Sequence, residues 1–371
     1  MLHITKSNLK EYLGFAVFFL VFLIIYYFLN LFVLSQYFKL FNLKPSLGFD
    51  ILLIILTLSY ILAAALESYS DNYLFRKIYL VASVWMGILF ISFVVLLIYY
   101  ILDMFIPITK LLTGIIIALA AILISLYGII NAYTLTVTKV NVHNNKGAKL
   151  KVVQVSDVHL GIIIGDNYLK QIVSKINAIH PDVVLLTGDL IDGRYSYDVN
   201  TFKLLDNIHA DIYFVSGNHE DYAGIAKVEG LLKNTKVNWL HNELINYKGI
   251  NIIGLDDTRN KHNVGIMLSK LNKVHHGFSN KFTLLMNHRP IGWKDASKYV
   301  DMMISGHTHA GQIWPFIYLT FLEGNAMRNK HIIYDDMTFI LYISSGVGTW
   351  GPPMRIGSHA EIVVYNIMNK K

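Results

Sequence analysis

The sequence predicts a fold in two parts: an N-terminal four-helix transmembrane region over residues 1–133, then an α/β domain over residues 134–371. Three observations carry this reading. Charge is unevenly placed, with 12 Asp, Glu, Lys or Arg among the first 133 residues and 45 among the other 238. Four long apolar runs fill the first part, and short β-rich runs alternate with helix-compatible stretches in the second. The whole-chain averages, 54% hydrophobic and 15% charged with a mean hydropathy of +0.45, therefore describe neither part. They exclude an ordinary soluble domain, which is about 25% charged, and a disordered chain, which needs low hydrophobicity and high net charge.

The apolar runs cover 12–34, 48–66, 78–102 and 111–131. A spanning helix takes about 20 mostly apolar residues, and lipid leaves backbone polar groups no partner outside a helix. The second run is the shortest and reaches its length by extending back to residue 48. Tyr12, Tyr26, Tyr27, Tyr99, Tyr100 and Tyr127 lie at or near run ends, where an aromatic belt places such rings. Asp50 and Asp103 sit at edges as hydrated end residues, and no run carries an internal charge. That argues for an anchor and against a transporter with an ion path. The first run is far longer than a signal-peptide core of 7–15 residues and lacks a small-x-small cleavage site, so it reads as retained.

Four spans put the N-terminus and the domain on one side. Lys6, Lys10, Arg76, Lys77, Lys139, Lys146, Lys149 and Lys151 lie on that side, against Lys39, Lys44 and Lys110 on the other. The positive-inside rule then predicts a multi-pass protein of the cell membrane with a cytoplasmic domain. The net charge of +7 is spread without a basic stripe, which gives no case for nucleic acid. The absence of cysteine excludes disulfides and thiolate metal sites.

In the second part, 134–142 alternates as a strand, and 144–147 supplies a turn. Strands are expected at 151–155, 183–187, 212–215, 250–254, 282–286 and 302–305, with helices at 168–178, 200–207 and 225–233. Strands alternating with helices imply a layered α/β domain. The closing runs 332–334, 339–343 and 361–365 read as strands without helices between them.

In α/β sheets, ligands bind beyond the carboxyl ends of the strands. The polar motifs fall there five times: Asp157-Val158-His159, Gly188-Asp189, Gly217-Asn218-His219-Glu220, Asn287-His288 and Gly306-His307-Thr308-His309. A single D-x-H or G-D is an ordinary loop; five in succession, with glycine where the chain must turn, point to one site. Imidazoles with carboxylates suit manganese, iron, zinc or cobalt, whereas magnesium or calcium would call for oxygen donors. So many donors exceed the needs of one ion. Two ions about 3.5–4 Å apart sharing a carboxylate suit a phosphate ester.

The ordered set D-x-H, G-D, G-N-H-E, H and G-H-x-H resembles the calcineurin-like metallophosphoesterase superfamily over roughly residues 150–365. The resemblance implies a four-layered α/β/β/α sandwich with two divalent metal ions, manganese first, and iron, zinc or cobalt as alternatives. By position, Asp157, His159 and His309 would hold one ion, and Asn218, His288 and His307 the other, with Asp189 bridging. His219 would be the catalytic histidine that is not a ligand. Residues 306–312 and 345–355 are similar to the bacterial membrane-associated branch, linked to pyrophosphate hydrolysis on nucleotide-linked lipids. The chain departs from the branch at Ser358-His359-Ala360-Glu361, where many relatives carry a proline pair, and in having four spans instead of one.

The implied activity is hydrolysis of a phosphodiester or pyrophosphate by a metal-bridging hydroxide, on a phosphate-ester or lipid-linked substrate at the membrane. A tethered phosphodiesterase for soluble substrates is the alternative enzyme, and a non-catalytic receptor on the same fold the alternative class; receptors of that kind lose ligand residues, and none is lost here. Arg355 would grip a substrate phosphate through its planar fork or form a surface ion pair. Glu220 reads as a hydrogen-bonding partner within its loop, and Asp192, Asp256 and Asp257 read as loop carboxylates. His180, His275 and His276 read as exposed or strand-edge residues. Trp314 and Phe316 read as core packing or membrane contact, or as an apolar approach for a lipid tail.

Overall fold

The computed structural model describes residues 6–69, 72–105, 109–193, 198–278, 280–322, 332–334 and 339–370. The chain divides into two compact units, residues 1–127 and 128–371.

The first unit is helical: α1 (Lys6–Leu40), α2 (Leu47–Tyr69), α3 (Tyr73–Asp103) and most of α4 (Lys110–Tyr133). All four helices are long and apolar enough to cross a membrane. The helices outrun the apolar runs in the sequence because a helix continues through polar flanks wherever a cap permits. α3, for example, starts five residues before its run, where the Asn72 side chain accepts the Leu74 N–H. Within the bundle, Tyr26, Val33, Leu40, Leu89, Leu96 and Ile117 form a buried cluster. Outward positions stay apolar as well, as at Ile25, Val81 and Leu123, so these helices are apolar on both their inner and outer faces. Buried polar side chains are answered one turn back: Asn30 donates to Tyr26 O at 2.8 Å, Ser83 to Tyr79 O at 2.8 Å, and Ser125 to Ala121 O at 2.6 Å.

The second unit holds two six-stranded sheets. The first consists of β1 (Leu135–Asn144), β2 (Leu150–Val155), β3 (Val183–Thr187), β4 (Asp211–Val215), β5 (Val237–Trp239) and β12 (Ala360–Asn369), in the order β1-β12-β2-β3-β4-β5. The second consists of β6 (Glu243–Tyr247), β7 (Ile250–Leu255), β8 (Thr283–Asn287), β9 (Met302–Ser305), β10 (Ile332–Tyr334) and β11 (Phe339–Ile343), in the order β10-β11-β9-β8-β7-β6. β2 to β5 run parallel, as do β7, β8, β9 and β11.

Alternation along each strand assigns the layers, since neighbouring residues face opposite sides. Val152, Leu185, Leu284 and Met302 meet in a core between the sheets. Their neighbours Val153 and Leu186 face outward onto α5 (Asp166–Ile179), α6 (Val199–Lys203) and α8 (Ile225–Leu232), through Leu169, Ile172, Phe202 and Val228. Leu285 and Met303 face the opposite way, onto α9 (Lys261–Val274) and α10 (Trp293–Ala296). The result is the expected α/β/β/α order of layers. Each fully buried Val or Leu is worth about 1.5–3 kcal/mol over exposure, so both faces of both sheets are strongly specified.

Several elements were not expected: β5, β6, α9, α10 and the short helix α7 (Asn218–Ala223). α9 buries only Val264 and Leu268, and its remaining positions are largely Lys, Asn and His, too weak a stripe to read from periodicity. α7 lies inside the G-N-H-E motif itself. Its Glu220 folds back to accept the Gly217 N–H at 2.6 Å, which closes the first helical turn.

Candidate metal centre

The parallel strands of both sheets deliver their motifs to one place. β2, β3 and β4 lead into Asp157-Val158-His159, Asp189 and Asn218-His219. β8 ends at Asn287 and is followed by His288, and β9 leads into His307 and His309. Asp157, His159, Asp189, His307 and His309 all have left-handed backbones, with φ between 48° and 69°. Non-glycine residues pay roughly 1–3 kcal/mol for such conformations, which cluster at functional sites. Two glycines leave room for the carboxylates: a Cβ at Gly217 would overlap Asp189, and one at Gly306 would overlap Asp157.

Three groups of side chains bring their donor atoms within 4.8 Å of one another: Asp157–His159–His309, His159–Asp189–His219 and Asp189–His288–His307. Asp189 Oδ2 lies 3.2 Å from His288 Nε2 and 3.7 Å from His159 Nε2, so one carboxylate faces both sides of the cluster. His159 Nε2 and His309 Nε2 approach to 3.1 Å, and His309 Nε2 lies 3.5 Å from Asp157 Oδ1. Asn218, which opens α7, is buried with its Oδ1 lacking a hydrogen-bond partner among the described residues.

The donor set fits a cation. His288 Nδ1 lies 2.9 Å from Thr187 O, a contact that requires the proton on Nδ1 and leaves a lone pair on Nε2. That Nε2 is buried, has no hydrogen-bond partner among the described residues, and faces the Asp189 carboxylate. Two acceptors facing each other in a dry pocket require positive charge between them. Burial alone would drive a proton off His288, but the Asp189 charge outweighs it and raises the imidazole to about 10, so a proton on Nε2 supplies that positive charge wherever a metal ion does not.

Other carboxylates support these groups. Glu220 accepts the N–H groups of Asp189 at 2.9 Å, Leu190 at 2.8 Å and Ile191 at 3.2 Å, in addition to Gly217. It thereby ties the loop after β3 to the start of α7, while burial and Asp189 push its carboxyl up to about 7. Asp189 Oδ1 accepts the His219 N–H at 2.9 Å. Asp192 Oδ1 lies 3.3 Å from His219 Nδ1 and 3.6 Å from His159 Nδ1. Burial would raise the Asp192 carboxyl, yet these two histidines hold it at about 2.

Two residues change standing. Arg355, expected at a substrate phosphate or in a surface ion pair, is wholly buried. Its NH2 donates to the carbonyls of Ser345 at 2.6 Å, Gly346 at 3.1 Å and Gly348 at 2.6 Å, and its NH1 to Ser358 Oγ at 3.3 Å. A guanidinium spent on backbone carbonyls offers no fork to a substrate; it braces the loop behind His309 instead. Asp192, read as a loop carboxylate, supports two site histidines. Arg289 was not singled out at all, although it follows His288 directly. It pairs with Asp257 at 3.0 Å through Nε and reaches His307 Nε2 at 2.9 Å through NH1. His180 and His275 take up helix-end positions on α5 and α9 instead of site positions.

The fold and the site define a class: a layered α/β domain whose strand ends gather a histidine–carboxylate centre with three overlapping groups that could hold a metal ion. Residues 150–311 match the model of the Calcineurin-like phosphoesterase family. An uncharacterized metallophosphoesterase of Campylobacter jejuni is 34% identical over 230 residues, covering 60% of this chain and 60% of that protein. One from Aquifex aeolicus is 28% identical over 257 residues, covering 67% of this chain and 98% of that protein. A transmembrane protein with metallophosphoesterase domain from Bos taurus is 32% identical over 263 residues, covering 64% of this chain and 59% of that protein. The chain thus spans about 60% of the length of the Campylobacter relative.

Proposed function

We propose that this protein is a membrane-anchored dinuclear-metal phosphoesterase that hydrolyses a phosphodiester or pyrophosphate. Asp157, His159 and His309 hold one divalent cation, Asn218, His288 and His307 the other, and Asp189 serves both. The observation that carries this reading is the position of Asp189 Oδ2, facing His288 at 3.2 Å and His159 at 3.7 Å. Two cations there, with manganese the first candidate, supply neutralisation of phosphoryl charge and activation of water.

The chain's own groups do the rest. His288 keeps its proton on Nδ1 against Thr187 O and directs Nε2 into the site. His219 in its protonated form donates to the leaving oxygen, a role worth typically 10²–10⁴-fold, and Asp192 orients it through Nδ1 at 3.3 Å. Glu220 fixes the backbone that carries Asp189 and His219. The four apolar helices support a multi-pass protein, and the lysine and arginine balance supports a cytoplasmic domain.

Hydrolysis of bis-p-nitrophenyl phosphate by the purified full-length protein, with added manganese, tests the reading. Asp189→Asn is expected to lose about 10³-fold, several kcal/mol at about 1.4 kcal/mol per tenfold; unchanged activity overturns the shared role of Asp189. A nucleotide-linked lipid substrate predicts turnover that depends on detergent or vesicles. The second enzymatic reading, a tethered phosphodiesterase for soluble esters, predicts indifference to both.

A further inference from the structure

We propose that residues 314–319, together with Trp350, form a membrane-docking lip that beds in the interfacial layer of the bilayer entered by α4, beside the mouth of the site. Trp314 is 45% exposed, Phe316 42%, Tyr318 51%, Leu319 56% and Trp350 56%. So many large apolar side chains on one short segment exceed the scattered exposure normal for a protein in water. Trp and Tyr combine an apolar ring with a polar group and prefer the lipid–water boundary.

The place of this segment follows from hydrogen bonds inside the second unit. The Trp314 N–H donates to Ile356 O at 2.8 Å, and the Ile356 N–H to Gln312 O at 2.9 Å. The Gln312 side chain holds Trp350 on both sides, donating to its carbonyl at 3.0 Å and accepting its N–H at 2.9 Å. The next residue along, Arg355, donates its N–H to Gly128 O at 2.9 Å, and Asn131 donates to the carbonyls of Arg355 and Ser358. Gly128 and Asn131 are in the last two turns of α4, whose residues from 128 on belong to this unit. The aromatic segment is therefore stitched to the end of a helix of 24 residues. At 1.5 Å per residue such a helix is about 36 Å long, against a hydrocarbon core of about 30 Å. Its last turn ends in the headgroup layer, and so does whatever is bonded to it. Ile130 in that turn is 67% exposed, as a lipid-facing residue is. On the other side of the lip, the Trp350 ring packs edge-on to His219 at 6.3 Å.

The inference rests on α4 being a membrane span, and the test keeps the two apart. The chain has no cysteine, so single spin labels can be placed at Leu319→Cys, Trp350→Cys, Leu119→Cys in α4, and Ile266→Cys on α9, all exposed positions. The full chain in phosphatidylcholine nanodiscs is then read by power-saturation electron paramagnetic resonance, with oxygen as the lipid-soluble relaxer and a nickel chelate as the aqueous one. The labels at 319 and 350 are expected to show an oxygen-to-nickel accessibility ratio severalfold above the label at 266, approaching that at 119. If they match 266 while 119 reports lipid, the docking lip is refuted and the span stands. If 119 also reads aqueous, both fail. Labels at 319 and 350 shielded from both relaxers would mean that protein, a second copy included, covers the segment, and would equally overturn the proposal.

Discussion

Buried polar groups are handled in opposite ways in the two units. In the helical unit they are answered locally: Asn30 bonds the turn before it and also accepts from Trp85 Nε1 at 3.1 Å, and Ser83 and Ser125 bond back to their own helices. The buried atoms without a hydrogen-bond partner there among the described residues, the hydroxyls of Tyr26, Thr57 and Thr113, occur singly. In the α/β unit two such atoms among the described residues, Asn218 Oδ1 and His288 Nε2, open onto one cluster, beside His159 Nδ1 and His219 Nδ1, which have only Asp192 for company. A lone unsatisfied hydroxyl is a small local cost. Two strong acceptors left open together beside buried carboxylates mark a place built for something the protein itself does not supply.

That contrast can be broken most severely at Asp189. Manganese at a hundredfold excess over its dissociation constant should stabilise the wild-type protein by about 2.7 kcal/mol, seen as a rise in Tm, and the Asp189→Asn protein should show little of it. Next comes Arg355→Met, which strands the carbonyls of Ser345, Gly346 and Gly348. With each stranded group worth about 1–3 kcal/mol, a loss of roughly 3 kcal/mol in stability is expected in thermal unfolding, with the metal response of the surviving folded fraction retained. His219→Asn should lower kcat by about 10²-fold or more while leaving bound metal, measured by elemental analysis, unchanged. Asp192→Asn, one step further out, should weaken activity by about 10- to 100-fold through loss of orientation at His219 and His159. The smallest effect is expected in the helical unit, where Asn30→Leu should cost about 1 kcal/mol in the melt and nothing in hydrolysis. A large loss of activity there would show that the helices take part in the chemistry.

Much of this was legible in the sequence because function and fold share the same punctuation. Each of β2, β3, β4, β8 and β9 is a short apolar run stopped by Asp, Asn, His or Gly, so the residues that end the strand also announce the site. β3 and β9 were placed to the residue, and β2, β4 and β8 to within one residue at either end. The weaker elements escaped for lack of contrast: β5 is three residues long, and α9 shows water a face of Lys, His and Asn. Asp192 was misread because a carboxylate three residues after Asp189 carries no local mark of which imidazoles lie across the gap. Arg355 was misread for the converse reason. Its motif-rich surroundings suggested a ligand, whereas only the folded loop reveals three carbonyls turned toward it. Tertiary partners of that kind, 150 residues apart in the case of Asp157 and His307, leave no trace in spacing.

The position of β12 has a consequence for how the protein is made. It lies between β1 and β2, parallel to the first through ten residue pairs from Leu135–Ala360 to Asn144–Asn369, and antiparallel to the second. Its Glu361 carboxylate also fixes the Ser345 N–H at 2.8 Å, near the loop that Arg355 braces. β1 follows directly from α4, yet it has no neighbour in its sheet until residues 360–369 leave the ribosome. Over the synthesis of some 215 intervening residues, the four apolar helices are already complete while the first sheet stays open. The order of synthesis thus runs from the apolar helices to the α/β unit, and the first sheet is closed last.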